Sequence, residues 1–478
     1  MLKNISLVGE QRKVLTLNSN GPILIKGAAG SGKTTVSVYR ACHLMDSHGD
    51  MFEPSKVAIF TFNKTLSGYL NDLVHSTDGK SYNNVSIINF HKWAYNFIVA
   101  NGHNIYGKTI DSRDIQEIIR GIVNNISINT ANKRILSKSI DFFSDEISWI
   151  KGKDITNMDD YFRTSRVGRG NVDRVLKTDK NIIWEIFVRY QEELKRLAKY
   201  DFDDYALLCL KIIDQKGNDF TQPYTHIVID EAQDLNKSQV SVLSKLVSPS
   251  TNSITIVADA AQRIYKSGFS WKEVGLNVTG GRAIEFKKNY RNTVAIAKAA
   301  LSLLENDNDS EEFTKVELGN VLGEKPLLKK FFDINKEQLF IVEKTKLLRK
   351  ANPLDTICIL HRSHSGLKRI IGSLERANLE IEKINNNSNI NYFKPSIKIS
   401  TMQSVKGLEF DHIIISNIND ENLPLKSGFS YPDDDLHITT ERRLLYTCMT
   451  RAVKSLTITC NGRPSRYLNE IDSHLLEE

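Results

Sequence analysis

Cysteine is scarce and scattered in this chain of 478 residues: Cys42, Cys209, Cys358, Cys448 and Cys460 lie far apart, and no two form a C-x-x-C pair. That spacing indicates neither a zinc site nor a disulfide framework, and it fits a reducing compartment, so a cytoplasmic location is expected. No apolar run approaches the roughly eighteen residues of a membrane span. The start, Met1-Leu2-Lys3-Asn4, lacks the apolar segment of a secretory leader. No membrane partner is expected. Internal repeats of roughly 20 to 50 residues are also missing. Nor is there a bias toward disorder, since 40% of the residues are hydrophobic and 25% charged, as in ordinary soluble globular proteins.

What is present is an α/β rhythm. Apolar, largely β-branched runs recur at 23–25, 57–60, 227–229, 254–257, 357–360 and 412–415, most of them followed by helical patterns, which predicts parallel sheet flanked by helices. The runs fall into two groups, before and after about residue 285, and predict two α/β cores with a cleft between them. Residues 105–199 carry longer amphipathic patterns without clear strands and read as a helical insertion in the first core. The expected division is therefore a first core at 1–104 and 200–284, an insertion at 105–199 and a second core at 285–478. Polar turns are expected at 306–310, 385–389 and 433–435. The net charge of +7 is compatible with a polyanionic partner but is common among proteins that bind none.

The most specific signal is Gly27-Ala28-Ala29-Gly30-Ser31-Gly32-Lys33-Thr34-Thr35, which follows the strand-like Pro22-Ile23-Leu24-Ile25 and precedes a helical pattern. It fits G-x-x-x-x-G-K-[ST] at every fixed position. Glycines let successive backbone N–H groups turn inward onto phosphate oxygens, and the following helix adds its positive end. Lys33 is expected to reach the β- and γ-phosphates of a nucleoside triphosphate and Thr34 to hold Mg²⁺.

The apolar strand-like run 227–229, within Thr225-His226-Ile227-Val228-Ile229-Asp230-Glu231, ends in two carboxylates, Asp230 and Glu231. Carboxyl ends of strands are where ligands sit in open α/β sheets, so Asp230 is expected to complete the Mg²⁺ shell and Glu231 to activate the attacking water. Downstream, Ala258-Asp259-Ala260-Ala261-Gln262 offers Gln262 as an uncharged sensor of the γ-phosphate. Hydrolysis also needs arginine. Two candidates lie in the second half: Arg291 in Asn289-Tyr290-Arg291-Asn292 and Arg451 in Thr450-Arg451-Ala452.

Taken in order, these segments resemble the UvrD/Rep-type branch of the superfamily 1 DNA helicases. The resemblance includes Gln11, Phe60-Thr61-Phe62-Asn63-Lys64, Asn89-Phe90-His91, Asp201-Phe202-Asp203-Asp204, Asp230-Glu231-Ala232-Gln233-Asp234, Ile359-Leu360-His361-Arg362, Thr401-Met402-Gln403-Ser404-Val405-Lys406-Gly407-Leu408-Glu409-Phe410 and Glu441-Arg442-Arg443-Leu444-Leu445-Tyr446. It implies two RecA-like domains with ATP between them and single-stranded DNA across their tops. By matching position, Gln11 resembles the adenine-reading glutamine, Tyr290 the tyrosine that stacks on adenine and Glu409 the ribose contact. Thr61, Phe62, Asn63, His91, Tyr265, Trp271, Arg362 and Thr401 resemble residues that touch or stack on the strand, and simple core packing is an equal alternative for Trp271. The polarity implied is 3′ to 5′.

The chain departs from the family pattern in three places. Gln403 stands where relatives commonly have histidine. Ala258-Asp259-Ala260-Ala261-Gln262 replaces the more usual Gly-Asp-Pro-x-Gln. Only 37 residues separate Arg362 from Ser400, where larger relatives insert a helical domain, so that domain is expected to be missing or much reduced at 363–399. The last difference suggests poor autonomous unwinding and a protein partner such as a nuclease, in DNA repair or anti-phage defence. Two rivals stay open: an ATP-gated nucleic-acid-binding switch, and an RNA-directed helicase.

Overall fold

The computed structural model describes residues 7–48, 55–61, 66–68, 70, 85–129, 134–164, 175–262, 270–278, 281–307, 310–384, 390–425 and 435–478. Two six-stranded sheets organise them. The first contains β1 (Ile23–Gly27), β2 (Val57–Thr61), β3 (Val85–Asn89), β4 (His226–Ile229), β5 (Ser253–Ala258) and β6 (Ala283–Phe286), in the order β3-β2-β4-β5-β1-β6. The second contains β7 (Leu327–Phe331), β8 (Ile357–His361), β9 (Ile381–Lys383), β10 (Ile397–Thr401), β11 (Phe410–Ile415) and β12 (Ala452–Asn461), in the order β7-β12-β11-β8-β10-β9. Every strand pairing is parallel.

Parallel strands need crossover segments, and the helices that supply them cover the sheet faces, so central strands are buried throughout and read as unbroken apolar runs. That is the case for Val57–Thr61, His226–Ile229 and Ile357–His361, where every residue is buried. The fold class is therefore α/β with two parallel sheets. The strand β6 straddles the expected boundary at 284/285 and closes the edge of the first sheet by pairing with β1.

Between β3 and β4 the chain forms the helices Ser112–Asn129, Ile140–Gly152, Met158–Arg163 and Lys177–Leu197, which share an apolar cluster containing Ile119, Phe143, Ile150, Tyr161 and Ile186. Ser139 and Asn157 cap two of these helices by accepting bonds from Phe142 N and Asp160 N, which satisfies N–H groups the helix itself leaves open. The helical group is anchored to the first core by Lys151, whose buried ammonium lies 2.6 Å from both Asp201 and Asp204. Asp201 is also the N-cap of the helix Phe202–Lys216, accepting from the Asp203 and Asp204 amides.

Apolar packing joins the two sheets. The largest hydrophobic cluster draws Val36, Leu66 and Leu70 from the first and Tyr392, Met402, Val405 and Leu445 from the second. Residues 363–399 contain the helix His364–Arg376, β9, a turn at 391–395 and the start of β10. Of the three expected polar turns, 385–389 lies outside the described residues. Asp435, assigned to the third, instead opens the helix Asp435–Met449.

Candidate nucleotide site between the two cores

The glycine loop leaves β1 at Gly27 and enters the helix Lys33–His48. Gly30 and Gly32 have φ of 73° and 81°, left-handed values that favour glycine. Space agrees with conformation: a Cβ on Gly30 would overlap Asn289 Oδ1, and one on Gly32 would lie 2.6 Å from Gln11 Nε2. Lys33 Nζ donates to Gly27 O (2.9 Å) and Ala28 O (2.7 Å) and pairs with Asp259 at 3.0 Å. Ala28 and Ala29, within the loop, are buried. Gln11 is buried and clamped, donating to Ser31 O (2.9 Å) and accepting from Val8 N (3.1 Å). Its helix, Glu10–Thr16, is fixed from below by Arg40, whose guanidinium donates to Val14 O (3.0 Å) and Leu17 O (3.1 Å).

Asp230 and Glu231 follow β4 and separate chemically. Asp230 is buried; Ser37 donates to its Oδ1 at 3.2 Å, and its Oδ2 has no hydrogen-bond partner. Burial first, then the charge of Glu231, push its carboxyl up to about 7, against hydrogen bonds from Thr34 and Ser37. A buried carboxylate oxygen without a partner, beside a threonine hydroxyl, is a donor set that suits a hard divalent cation. Glu231 holds a left-handed backbone at φ 54° and accepts from Gln233 Nε2. Burial opposes its ionisation, but Lys406, Arg451 and Lys33 outweigh that and hold its carboxyl below the usual range. Adjacent carboxyls driven in opposite directions suit different roles.

From the second core, Arg451 is buried and donates to Gln262 Oε1 at 2.5 Å and to Thr447 O at 3.1 Å. Burial, reinforced by Arg291, lowers its pKa to about 10. Arg291 Nε lies 2.7 Å from Glu409. Tyr290 is 49% exposed, with its N–H on Gly30 O (2.9 Å) and the Lys288 ammonium 5.5 Å from its ring centre. One cleft of about 770 Å³ is lined by Gln11, Lys33, Thr34, Thr35, Glu231 and Gln262 from the first core and by Tyr290, Arg291, Glu409 and Arg451 from the second.

Sequence alone does not single out Lys406. Its buried ammonium crosses from the second core to Asp234 Oδ1 (2.7 Å) and Gln262 O (2.6 Å), with Glu231 Oε2 3.8 Å away. Asp259 likewise proves to be the partner of Lys33, and Gln233 accepts its N–H at 3.0 Å.

The expected strand-contacting residues are more dispersed. Phe62, Asn63 and Tyr265 lie outside the described residues. Thr61 is buried at the end of β2, its hydroxyl 2.8 Å from that of Ser67. His91 sits in the first turn of the helix Phe90–Ala100, its ring 5.3 Å from that of the half-exposed Phe202. Trp271 begins a short 3-10 helix and packs against the first core's second apolar cluster. Arg362 forms a two-pronged pair with Glu441, both bonds 2.8 Å. With its amide oxygen facing that guanidinium, Gln403 accepts from Arg362 Nη1 at 2.7 Å. Thr401 is buried and shares a 2.9 Å bond with Ser404.

Comparison with known proteins gives a consistent picture. The UvrD/REP helicase N-terminal domain matches residues 7–271, and the UvrD-like helicase C-terminal domain matches 284–394 and 382–463. A probable DNA helicase II homolog of Mycoplasma capricolum is 25% identical over 379 residues, covering 76% of this chain and 49% of that protein. A probable DNA helicase of Mycoplasma pneumoniae is 22% identical over 499 residues, covering 98% of this chain and 88% of its own length. The ATP-dependent DNA helicase PcrA of Bacillus subtilis is 26% identical over 309 residues, covering 61% of this chain and 38% of that protein. The chain thus spans about half or less of the first and third relatives and most of the second. No described helix is long and apolar enough to cross a membrane.

Proposed function

The chain belongs to the UvrD/REP helicase family, and on that premise we propose that it is an ATP-driven motor on single-stranded DNA, hydrolysing ATP to ADP and phosphate. The observation that carries this reading is the single cleft lined by Lys33, Glu231 and Gln262 on one side and Arg291, Glu409 and Arg451 on the other. In it Lys33 exchanges Asp259 and the loop carbonyls for the β- and γ-phosphates, and Glu231, kept ionised by neighbouring cations, orients water and takes its proton. Thr34 and Asp230 would hold Mg²⁺, which supplies charge neutralisation at the phosphates. Arg451 leaves Gln262 for the γ-phosphate and Arg291 leaves Glu409, releasing that carboxylate to the ribose. These exchanges draw the cores together in the ATP state and release them after hydrolysis, and alternating grips turn that cycle into steps along DNA.

Gln11 and Tyr290 select the adenine. His91, Arg362, Thr401, Trp271 and Thr61 are the described residues proposed to contact the strand; Phe62, Asn63 and Tyr265, proposed on the resemblance alone, lie outside the described residues, and aromatic stacking on bases tolerates any sequence. The proposed direction is 3′ to 5′. The short 363–399 segment supports the further proposal that the motor unwinds duplex poorly alone and acts with a partner such as a nuclease, in repair or in defence.

The test is ATP hydrolysis with and without single-stranded DNA or RNA of equal length, followed by displacement assays on duplexes with 3′ or 5′ tails. DNA-stimulated turnover is expected, with weak displacement by the chain alone, and that only from a 3′ tail. Turnover indifferent to nucleic acid would overturn the motor, and preferential stimulation by RNA would reassign its track.

A further inference from the structure

A turn in the short segment before β10 forms part of the nucleotide cleft. Tyr392, Phe393 and Pro395 line the same cavity as Gln11, Lys33, Tyr290 and Arg451, although they lie far from any of the phosphate-binding segments in sequence. The turn is built to hold a side chain in place. Asn391 Oδ1 accepts from Phe393 N (3.0 Å) and Lys394 N (3.1 Å), an Asx arrangement that fixes the backbone on both sides of the ring. Lys398, with a buried side chain on β10, donates to Lys394 O at 2.8 Å, and Pro395 stiffens the exit. Tyr392 anchors the other end: it is buried in the cluster shared by both cores, and a Cβ on Gly68 of the first core would meet its ring at 3.3 Å. Phe393 is thereby half-buried at the cleft wall on a fixed backbone.

The polar groups of the cleft account for a triphosphate and a ribose: Lys33, Thr34, Glu231, Gln262, Arg291, Arg451 and Glu409. A nucleobase needs flat apolar surface, and among the described lining residues the nucleotide-binding segments supply two aromatics, the half-exposed Tyr290 and Phe410, which is 1% exposed and offers almost no surface. Tyr392 and Phe393 supply further aromatic surface: Tyr392 is buried, whereas Phe393, packed against the same apolar cluster, is only half-buried and lines the cavity. We propose that Phe393 is a base-binding residue, stacking on the purine of the nucleotide from the second core, with Tyr392 as its positioning residue. This rests on the assignment of the cleft to a nucleoside triphosphate. It makes base affinity depend on a segment that also touches the first core, so nucleotide binding and apposition of the cores are joined through one turn.

The experiment titrates ADP and inorganic tripolyphosphate against the full chain by calorimetry, for wild type, Phe393→Ala and Phe393→Trp. Stacking predicts that Phe393→Ala weakens ADP about five- to 150-fold, the range of a lost base–aromatic contact, while tripolyphosphate, which has no base, binds unchanged. It also predicts a raised KM for ATP with kcat little altered. Phe393→Trp should restore ADP affinity, and its indole emission should change when ADP binds. Equal losses for ADP and tripolyphosphate, unchanged ADP affinity in Phe393→Ala, or indole emission in Phe393→Trp that is indifferent to ADP would each overturn the proposal. A wild-type chain that bound neither ligand would overturn the nucleotide assignment of the cleft itself, which separates the two failures.

Discussion

The two sheets are built alike and used at opposite ends. In the first, the functional groups leave the carboxyl ends of strands: the glycine loop after β1, Asp230 after β4 and Asp259 after β5. In the second, Thr356, Glu409 and Arg451 stand immediately before the amino ends of β8, β11 and β12, and all three line the cleft. The first end offers tight turns, inward N–H groups and carboxylates, which suit phosphate and metal binding. The second offers buried cations, Arg451 and Lys406, each tethered to a first-core group by a hydrogen bond. On the proposed reading, phosphate and metal binding belongs mainly to the first core, whereas base binding and hydrolysis draw on the second.

That asymmetry is broken most severely at Lys33. Lys33→Ala should abolish measurable ATP turnover while single-stranded DNA binding, read by fluorescence anisotropy, persists; wild-type turnover would remove the glycine loop from the mechanism. Arg451→Ala tests the other side. It should cut kcat by about 10³ to 10⁵ while leaving ADP affinity within about threefold, because an arginine finger acts on the transition state; a twofold loss of kcat would place Arg451 outside the reaction.

A smaller effect, on the order of ten- to a hundredfold in kcat, is expected for Lys406→Met, which removes a cation acting through Glu231. Its signature is the pH profile. Lys406 helps hold the Glu231 carboxyl low, so its removal raises that pKa and the base protonates sooner as pH falls. The acid limb of kcat against pH should therefore move to higher pH. An unmoved limb would show that Lys406 serves only to tie the cores. The smallest change is expected for Gln403→His, which alters a contact to Arg362 and not to the nucleotide. It should change stimulation by DNA about two- to fivefold without altering DNA-free turnover; altered basal turnover would place Gln403 in the hydrolytic machinery.

The same asymmetry explains what can be read from sequence. The glycine loop is local: its glycines, lysine and threonines are adjacent, and their spacing encodes their chemistry. Central strands such as Ile227–Ile229 and Ile357–Leu360 declare themselves because both faces are buried. The strand β12 is also internal to its sheet, yet Thr457 and Thr459 interrupt its apolar pattern. They are tolerated because the interior there is polar: buried Glu337 accepts from Thr459 Oγ1 at 2.5 Å and also from Asn461. The edge strands β3, β6, β7 and β9 carry exposed or half-buried residues and lack the continuous signal. Lys406 is hidden for a different reason. Its partner Asp234 is 172 residues away, and a lone lysine in sequence carries no sign of the carboxylate it will meet. Asp307 reads as part of a polar turn, and the fold instead buries it against Arg443 through bonds of 2.8 and 2.6 Å.

The most direct test of the shared cleft is a distance between the cores. Spin labels on the exposed positions Lys216 and Glu375, introduced as cysteines beside five native cysteines that are all buried, report it by pulsed electron resonance. With single-stranded DNA and a non-hydrolysable ATP analogue, a shift to shorter distances is expected in wild type and is lost in the Arg291→Ala/Arg451→Ala double variant. An identical distance distribution in every nucleotide state of the wild-type chain would contradict it.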